Sequence, residues 1–266
     1  MAVIVIGILL LCSNIDSEKK RKLDFFLIIP LSTVIVGLVT SATHLGNPAN
    51  ALYIFRGVGR SPLSTEVFFA VVFLLFGGIY WLWTFKRKQN RSIKTIWLCL
   101  LILASVVFII TIARAYSVHT IISWDNLYVP VGVIANALAG GALLAALTLN
   151  LAGHTEIRDK TGITILSVSF VGAVLSAVIT MLQAIDISHI ETAVAQGKEL
   201  AIWFYGALSV FCIFTVITFT MIIVEMLGVR QKTSLTIRLS ISCALLFLGI
   251  FTLRLAFYAV HLTVGL

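Results

Sequence analysis

The sequence predicts an all-α protein, a polytopic membrane bundle of about eight transmembrane helices with the first one shortened. Three observations predict this class: 60% of the 266 residues are hydrophobic, only 11% are charged, and the mean hydropathy is +1.08. About a quarter of the residues of a soluble domain are charged, so a water-soluble fold is excluded. Outer-membrane barrels show alternating segments of roughly ten residues, which differ from the long apolar runs here. We expect residues 1–266 to form a single integral-membrane domain.

Seven segments reach the length of about 20 apolar residues that a helix needs to cross a bilayer. They are predicted at Phe25–Thr43, Glu66–Phe85, Thr95–Ala115, Leu127–Leu151, Thr161–Ile185, Leu200–Leu227 and Leu235–Leu266. Ahead of them, Met1–Cys12 is apolar but spans only about 18 Å of helix. No basic region precedes this stretch and no small-x-small cleavage site follows it. We therefore predict an incomplete eighth helix rather than a cleaved signal peptide.

The basic residues predict which helix ends face the cytoplasm, because Lys and Arg accumulate in cytoplasmic loops. Fourteen of the 19 lie in alternate connections: residues 19–22, residues 86–94, Arg158 and Lys160, and residues 230–238. The opposite connections hold Arg56, Arg60 and Lys198. Both termini are therefore predicted on the outer side. The net charge of +8 follows from this topology, and we expect no nucleic-acid partner.

The longest connection, residues 44–65, lies on the predicted outer side and contains several glycines and prolines. Long connections of this kind are often functional, and a plain structural linker is the alternative. His44 and Glu66 bracket the connection. An imidazole and a carboxylate at a membrane boundary can accept and pass protons. These two residues are our candidate catalytic pair.

Ionisable residues inside a membrane are costly and usually face the bundle interior, so their depth helps to locate a site. Three pairs are each 20 positions apart, about 30 Å of helix: Asp24 and His44, Glu66 and Lys86, Lys94 and Arg114. One member of each pair therefore reaches the outer boundary, namely His44, Glu66 and Arg114. Further polar residues belong to the same level by their place in the sequence: Gln183, Asp186, Tyr116, His119, Trp124 and Asp125.

The last helix brings a polar stripe to this predicted outer layer. Arg254 lies 16 residues, about 24 Å, beyond Arg238, and Tyr258 and His261 follow it at i+4 and i+7. Arg114 and Arg254 are candidate pocket residues, although a charge near a helix end can also reach the interface without any other role. We expect His119, His154 and His189 to be solvated and Glu225 to pair with Arg230.

Several other sites are not indicated by the sequence. The four cysteines lie in apolar runs without C-x-x-C spacing, and no histidine lies near mid-depth, so we expect neither a metal site nor haem in this protein. GVG at Gly57–Gly59 lacks the strand–turn–helix context of a phosphate loop. Gly140 and Gly141, like Gly77 and Gly78, are predicted to allow close helix packing.

Five stretches together resemble one family: SATHLGNPANA with the following SPLSTEVFF, ARAYSVHTIISWDN, VPVG, MLQAIDISHIE and RLAFYAVHLTVGL. In this order they resemble the membrane-anchor subunit of dimethyl sulfoxide reductase, the DmsC family, over almost the whole sequence. The sequence departs from the family in its short first helix. It also has Asn50 where a basic residue is expected after HLG-x-P, and Arg56 is the alternative for that role.

The resemblance implies an anchor of the bacterial cytoplasmic membrane that binds menaquinol and passes its electrons to an iron–sulfur subunit. That subunit in turn serves a molybdopterin catalytic subunit, so this protein takes part in quinol oxidation without reducing the terminal acceptor itself. The resemblance implies that His44 contacts the quinol hydroxyl and that Glu66 accepts or relays a proton. Gly46 and Pro48 would shape the loop. Depth alone adds Arg114, Arg254, Tyr258 and His261 as pocket or interface residues.

Two other functions are compatible with an apolar helical bundle. A secondary transporter or proton-conducting protein would carry acidic residues or broken helices near the bilayer midplane, and the sequence shows neither signal there. A purely structural anchor would need no polar layer at one membrane boundary. The polar layer therefore favours the quinol-oxidising anchor over both alternatives.

Overall fold

The computed structural model describes residues 1–13, 16–42, 48–86, 90–117, 119, 121–153, 158–190, 197–228 and 235–260. These residues form α-helices that we number in chain order, with one 3-10 helix, Pro48–Gly57, between α3 and α4. The helices are α1 Ala2–Cys12, α2 Ser17–Phe26, α3 Ile28–Ala42, α4 Pro62–Trp83, α5 Arg91–Ala115, α6 Tyr128–Leu151, α7 Lys160–Ser188, α8 Gly197–Met226 and α9 Leu235–Ala259.

The predicted fold class is confirmed by these helices. Within the described residues, seven helical stretches are long and apolar enough to cross a membrane, and α1 is a shorter apolar helix of 11 residues. Large apolar side chains point outward along the long helices, as Val216 and Ile223 do on α8 with 64% and 53% exposure. A soluble protein would not present such faces to water, so these helices indicate an integral membrane protein.

The first long span differs from its prediction at its start. Its helical stretch runs over Ser17–Thr40, so the basic segment before Phe25 is already helical. The stretch is interrupted at Leu27, between α2 and α3. Pro30 lacks a backbone N–H and cannot donate to the carbonyl of Phe26, which accounts for the interruption at this point.

The described helices divide into two compact units. The first comprises Met1–Ala115 with Thr148–Thr155, and the second comprises Tyr116–Leu147 with Glu156–Leu266. The first unit therefore contains α1 to α5 with the 3-10 helix, and the second contains most of α6 with α7, α8 and α9.

In the first unit, a buried carboxylate joins three helices at the end that carries the basic residues. Asp24 on α2 is 1% exposed and accepts a hydrogen bond of 2.5 Å from the hydroxyl of Tyr80 on α4. It also pairs with the ammonium group of Lys94 on α5. A buried charge is tolerated when it is paired and hydrogen-bonded, so this group links the ends of α2, α4 and α5.

Glycines were predicted to allow close helix packing, and the structure distinguishes among them. A Cβ atom at Gly77 would lie 2.5 Å from Leu31 of α3, and one at Gly140 would lie 2.7 Å from Phe247 of α9. At Gly78 a Cβ atom would meet nothing within 4 Å. Gly77 and Gly140 therefore permit close approach of a neighbouring helix, whereas Gly78 does not serve this purpose.

In the second unit, α7 packs closely against α6. A Cβ atom at Gly172 would lie 2.5 Å from the backbone nitrogen of Ala139, so only glycine fits there. On either side of this contact, Ser169 Oγ donates to the carbonyl of Ala139 at 2.7 Å and Ser176 Oγ donates to Asn136 Oδ1 at 2.9 Å. Small residues and interhelical hydrogen bonds of this kind are the usual means by which membrane helices associate.

The contact between α8 and α9 ends in an ion pair. Glu225 near the end of α8 pairs with Arg238 in the first turn of α9, and the guanidinium of Arg158 donates to the Glu225 carbonyl oxygen at 2.9 Å. We expected Glu225 to pair with Arg230, which lies outside the described residues. Arg238, 8% exposed, forms this ion pair across the contact between α8 and α9.

Candidate functional site

The first group of candidate residues surrounds the start of α4. His44 and Gly46 lie outside the described residues, and Pro48 is the first residue of the 3-10 helix Pro48–Gly57. Glu66 is the fifth residue of α4, and its side chain is half-buried. The carboxylate therefore lies in the second turn from the end of a helix long enough to cross a membrane.

The backbone before Glu66 is held by a compact turn. Gly59 has a φ of +81°, which other residues rarely adopt, and its N–H donates to Thr65 Oγ1 at 3.0 Å. Thr65 Oγ1 donates in turn to the carbonyl of Ser61 at 2.9 Å. Ser61 is the N-cap of α4, and its Oγ accepts the N–H of Ser64 at 3.4 Å. The turn thus fixes where α4 begins and where Glu66 stands on it.

Arg114 belongs to the same unit and occupies the last turn of α5, where its side chain is exposed. A cation at a helix C-terminus is stabilised by the helix dipole. Arg114 thus lies at the end of its helix, as its position 20 residues beyond Lys94 predicted.

The second group of candidates, in the second unit, centres on an aromatic cluster at the end of α9. We define this cluster as Tyr116, Trp124, Phe257 and Tyr258. The rings of Trp124 and Phe257 stack with centroids 4.5 Å apart, and Tyr116 and Tyr258 meet them edge-on. Such pairs contribute about 0.5–1.5 kcal/mol beyond the burial of their area.

Two hydrogen bonds tie the connection before α6 to the end of α9. Ser123 Oγ donates to the carbonyl of Val260 at 2.6 Å, and Trp124 Nε1 donates to the carbonyl of Phe257 at 3.3 Å. These bonds satisfy carbonyl groups that a helix end leaves without intrahelical donors. Ser123 and Trp124 are therefore held against the end of α9.

Arg254 lies against this cluster, where its guanidinium carbon is 4.7 Å from the ring centroid of Tyr116, 4.8 Å from that of Phe257 and 5.6 Å from that of Tyr258. Cation–π contacts of this kind are worth about 0.5–2 kcal/mol each, the larger values applying where water is excluded. Among the described residues, no carboxylate forms an ion pair with Arg254. The predicted neighbours Arg254 and Tyr258 are thus in contact, and His261 lies outside the described part of the sequence.

Arg254 also lines a cleft between the ends of α6, α7, α8 and α9. The cleft has an empty volume of about 340 Å³ with its open mouth included, and its polar lining includes Tyr128, Asn136, Gln183 and Arg254. Gln183 is 6% exposed, and its Nε2 atom has no hydrogen-bond partner within the described ranges. A buried amide donor without a partner costs about 1–3 kcal/mol, so the position of Gln183 Nε2 lowers the stability of the fold.

The sequence pointed only partly to this second group. Gln183 was placed at the right level by its position near the end of its helix, but nothing suggested that its amide faces a cleft. Phe257 was missed because only polar residues were counted along α9. The signal that could have found it is the aromatic pair at 257 and 258 opposite Tyr116 and Trp124.

The remaining predicted groups behave as local surface features. His119 Nδ1 lies 2.8 Å from Asp125 Oδ2, with the imidazole side chain 91% exposed. The hydrogen bond with the Asp125 carboxylate raises the pKa of His119 above its usual value. His189 is exposed, whereas His154 lies outside the described residues. In the described ranges, no three His, Cys, Asp or Glu side chains are grouped as metal ligands would be.

The helices and their outward apolar faces define a polytopic integral membrane protein with polar residues gathered near helix ends. Comparison with known sequences identifies it more closely: the chain belongs to the family described as DMSO reductase anchor subunit (DmsC), which it matches over residues 1–260. The predicted resemblance is thereby confirmed. No solved structure matches the protein.

Three curated relatives extend along almost the whole sequence. The C subunit of the anaerobic dimethyl sulfoxide reductase of Escherichia coli is 30% identical over 99% of this protein and 90% of its own length. YnfH of the same organism, also described as belonging to an anaerobic dimethyl sulfoxide reductase, is 27% identical over 100% of this protein and 91% of its own length. The C subunit of the Haemophilus influenzae enzyme is 22% identical over 94% and 86% respectively.

Proposed function

We propose that this anchor subunit binds menaquinol, oxidises it and delivers its electrons to an iron–sulfur subunit, which passes them to a molybdopterin catalytic subunit. The observation that carries the proposal is the half-buried Glu66 carboxylate in the second turn of a membrane-spanning helix. An ionisable residue at such a position is expensive and is usually retained for function. The family assignment supports the same conclusion, because an anchor subunit works beside redox subunits.

The chemistry of quinol oxidation assigns roles to these residues. Oxidation of the quinol to the quinone releases two electrons and two protons, so the site needs proton acceptors at the ring hydroxyls. His44 accepts a proton from one hydroxyl as a neutral imidazole, and Glu66 accepts or relays a proton beside it. Gly46 and Pro48 shape the loop around the ring. Arg114, Arg254, Tyr258 and His261 complete the polar layer as pocket or interface residues.

The proposed orientation places this layer on the outer face of the bacterial cytoplasmic membrane, with both termini outside. It rests on the concentration of basic residues at the opposite helix ends. The buried Asp24 and its partner Lys94 belong to that opposite end. Protons from quinol oxidation are then released on the outer side.

The iron–sulfur subunit is proposed to dock on the two connections near this layer, residues 46–65 and 116–126. Apolar side chains are exposed outside the membrane spans in this region: Leu52 by 78%, Tyr53 by 57% and Phe55 by 41%. Exposed apolar residues outside a lipid-facing helix are typical of a protein interface. Arg56, which lies over the ring of Tyr53 at 4.8 Å, adds a positive charge to this surface.

The proposal is tested in the assembled complex with the variants His44→Ala and Glu66→Gln. Each is expected to abolish quinol-dependent reduction of the terminal acceptor, because the ring hydroxyls lose a proton acceptor. Reduction of the terminal acceptor by an artificial donor that bypasses the anchor should stay at the wild-type rate.

Two matched control variants distinguish the loss of proton transfer from a loss of folding or assembly. His189→Ala changes an exposed histidine, and Glu199→Gln changes an exposed acid in the first turn of α8. Both controls should retain quinol oxidation. Wild-type quinol oxidation by assembled His44→Ala and Glu66→Gln complexes would contradict the proposal. Loss of artificial-donor activity as well would assign the defect to assembly.

A further inference from the structure

Three aromatic rings meet on the exposed side of the first unit, where α2 lies beside the end of α4. We call Phe25, Trp81 and Phe85 the boundary triad. Their ring centroids are 6.2 Å apart for Phe25 and Trp81, 6.0 Å for Phe25 and Phe85, and 5.0 Å for Trp81 and Phe85. Trp81 Nε1 also donates to the carbonyl of Phe25 at 2.8 Å. The rings are therefore held together across two helices, while Phe25 and Phe85 remain 45% and 58% exposed.

The boundary triad stands where two membrane-spanning stretches end. Phe25 follows the basic turns of α2, and Trp81 and Phe85 flank the last residue of α4. Aromatic side chains, Trp above all, are enriched at the interface between membrane and water. Further inward, one face of α4 carries Leu82, which is 64% exposed, and Gly78, where a Cβ atom would meet nothing within 4 Å. This face offers an open apolar path for an acyl chain.

Two cations lie beside the triad, one on each helix. Arg21 precedes Phe25 by four residues, which places both on one face of α2. Lys86 directly follows Phe85, and its backbone N–H donates to the carbonyl of Trp83 at 3.0 Å. Lys86 is therefore held in a turn against the end of α4. Both cations are exposed, and neither forms an ion pair with a carboxylate of the described residues.

The acids of α2 do not neutralise these cations. Glu18 pairs with Lys22 at 2.9 Å, and the buried carboxylate of Asp24 pairs with Lys94. Asp16 is the N-cap residue of α2, at the far end of the helix from the triad. Positive charge therefore remains uncompensated beside the rings, and its chemical complement is an anion.

Lipid covers the exposed face of a membrane-spanning helix, so headgroups lie beside Arg21 and Lys86. Basic side chains next to such a helix attract anionic headgroups. The guanidinium of Arg21 can donate two parallel hydrogen bonds to a phosphate, and the ammonium of Lys86 adds a compact charge. A phosphatidylcholine headgroup carries a cationic ammonium beside its phosphate, which opposes this attraction. Phosphatidylglycerol carries no such group.

We propose that the boundary triad, with Arg21 and Lys86, is a binding site for one anionic phospholipid. The phosphate accepts hydrogen bonds from both cations, the rings contact the glycerol region, and an acyl chain lies along α4 over Leu82 and Gly78. The bound lipid thereby bridges α2 and α4 beside the interruption at Leu27. The site does not depend on the proposed oxidation of quinol.

The test uses the complete membrane complex in phosphatidylcholine nanodiscs that contain a small fraction of photoreactive phosphatidylglycerol. Mass spectrometry should map cross-links to residues 21–25 and 81–86. A photoreactive phosphatidylcholine with the same acyl chains should label these segments less. Unlabelled phosphatidylglycerol should compete with the probe, whereas inorganic phosphate should not, because it lacks acyl chains. Equal labelling by the two lipids would overturn the proposal, as would cross-links confined to other segments or full competition by inorganic phosphate.

Substitution of the cations gives a second measurement. Arg21→Gln and Lys86→Gln should each lower the affinity for the phosphatidylglycerol probe about fivefold and leave labelling by phosphatidylcholine unchanged. Lys19→Gln is the matched control, because it removes the same charge from an exposed residue that lies about 200° around α2 from Arg21. This control should retain the wild-type affinity. Equal losses in Lys19→Gln and Arg21→Gln would contradict a specific site.

Phe85→Leu tests the contribution of the rings. The side chain is 58% exposed, so the fold should tolerate its replacement by a smaller apolar group. The affinity for both lipid probes should fall about fourfold, the effect of removing roughly one buried CH₂ group. Reduction of the terminal acceptor by an artificial donor, measured in every variant, verifies that the complex is assembled. Unchanged affinity in assembled Phe85→Leu would contradict a site built on the boundary triad.

Discussion

Replacement of Gly172 by Ala tests the packing of the second unit, because the neighbouring atoms are backbone and cannot rotate away. The new Cβ would lie 2.5 Å from Ala139 N and 3.0 Å from Ala135 O, whereas ordinary contact begins at 3.4 Å. Helix α7 must therefore move about 0.9 Å from α6. The hydrogen bonds of Ser169 and Ser176, at 2.7 and 2.9 Å, would lengthen beyond the normal range.

The magnitude follows from three contributions. Overpacking costs about 1–3 kcal/mol. Two interhelical hydrogen bonds in a membrane contribute about 0.6 kcal/mol each. Ala gains about 1 kcal/mol over Gly in a helix, which offsets part of the loss. We expect Gly172→Ala to lower the free energy of unfolding by about 1–3 kcal/mol.

The assay is reversible unfolding in mixed micelles by a denaturing detergent, with Gly206→Ala as the control. Gly206 lies in α8 of the same unit, and a Cβ there would meet nothing within 4 Å. The control should be as stable as the wild type or up to about 1 kcal/mol more stable. Equal stability of the two variants would refute the close approach of α6 and α7.

Three further predictions concern the first unit, the connection before α6 and the topology. Tyr80→Phe removes a hydrogen-bond donor from the Asp24 carboxylate, which is 1% exposed, and should lower the free energy of unfolding by about 1.5–3 kcal/mol in the same assay. Tyr205→Phe, at a side chain that is 38% exposed, should leave stability unchanged. Equal effects of the two variants would contradict the buried network. Asp125→Asn should lower the pKa of His119 toward 6.5 in an NMR titration, because the hydrogen bond with the carboxylate raises that pKa. The pair contributes to the free energy of unfolding at pH values below 6.5, and this contribution is lost as the pH rises through the raised pKa. An unchanged pKa of His119 in the variant would argue against the pair. A periplasmic reporter fused after Leu266 should be active, and activity of a cytoplasmic reporter there would reverse the proposed orientation.

Hydropathy predicted the long helices because the bilayer itself sets their length and composition. It did not predict the interruption at Leu27, although Pro30 gives a local reason for it. Gly140 was expected at a close contact and is found there, but Gly172, which has the tightest contact with α6, was not singled out. Single-sequence patterns show which residues are small, whereas only packing shows which of them another helix approaches.

The sequence predicted those features of the candidate site that depend only on how far along its helix each residue lies. Depth arithmetic brought Arg254 and Tyr258 to the same level, and the structure shows them in contact through a cation–π pair. It could not show that Gln183 Nε2 lacks a partner among the described residues, because hydrogen-bond satisfaction depends on three helices at once. For the same reason the ion pair between Glu225 and Arg238 on the next helix was not predicted.

Rapid mixing measures whether this subunit holds the site at which quinol is oxidised. A soluble menaquinol analogue is mixed anaerobically with the assembled complex, and the reduction of the partner's iron–sulfur clusters is followed within a single turnover. In the wild type and in Glu199→Gln the clusters should be reduced rapidly. In Glu66→Gln, cluster reduction by the quinol should slow by about 10²- to 10⁴-fold, the range that general acid–base groups contribute. Cluster reduction at the wild-type rate in Glu66→Gln and in His44→Ala would show that neither residue takes part in quinol oxidation.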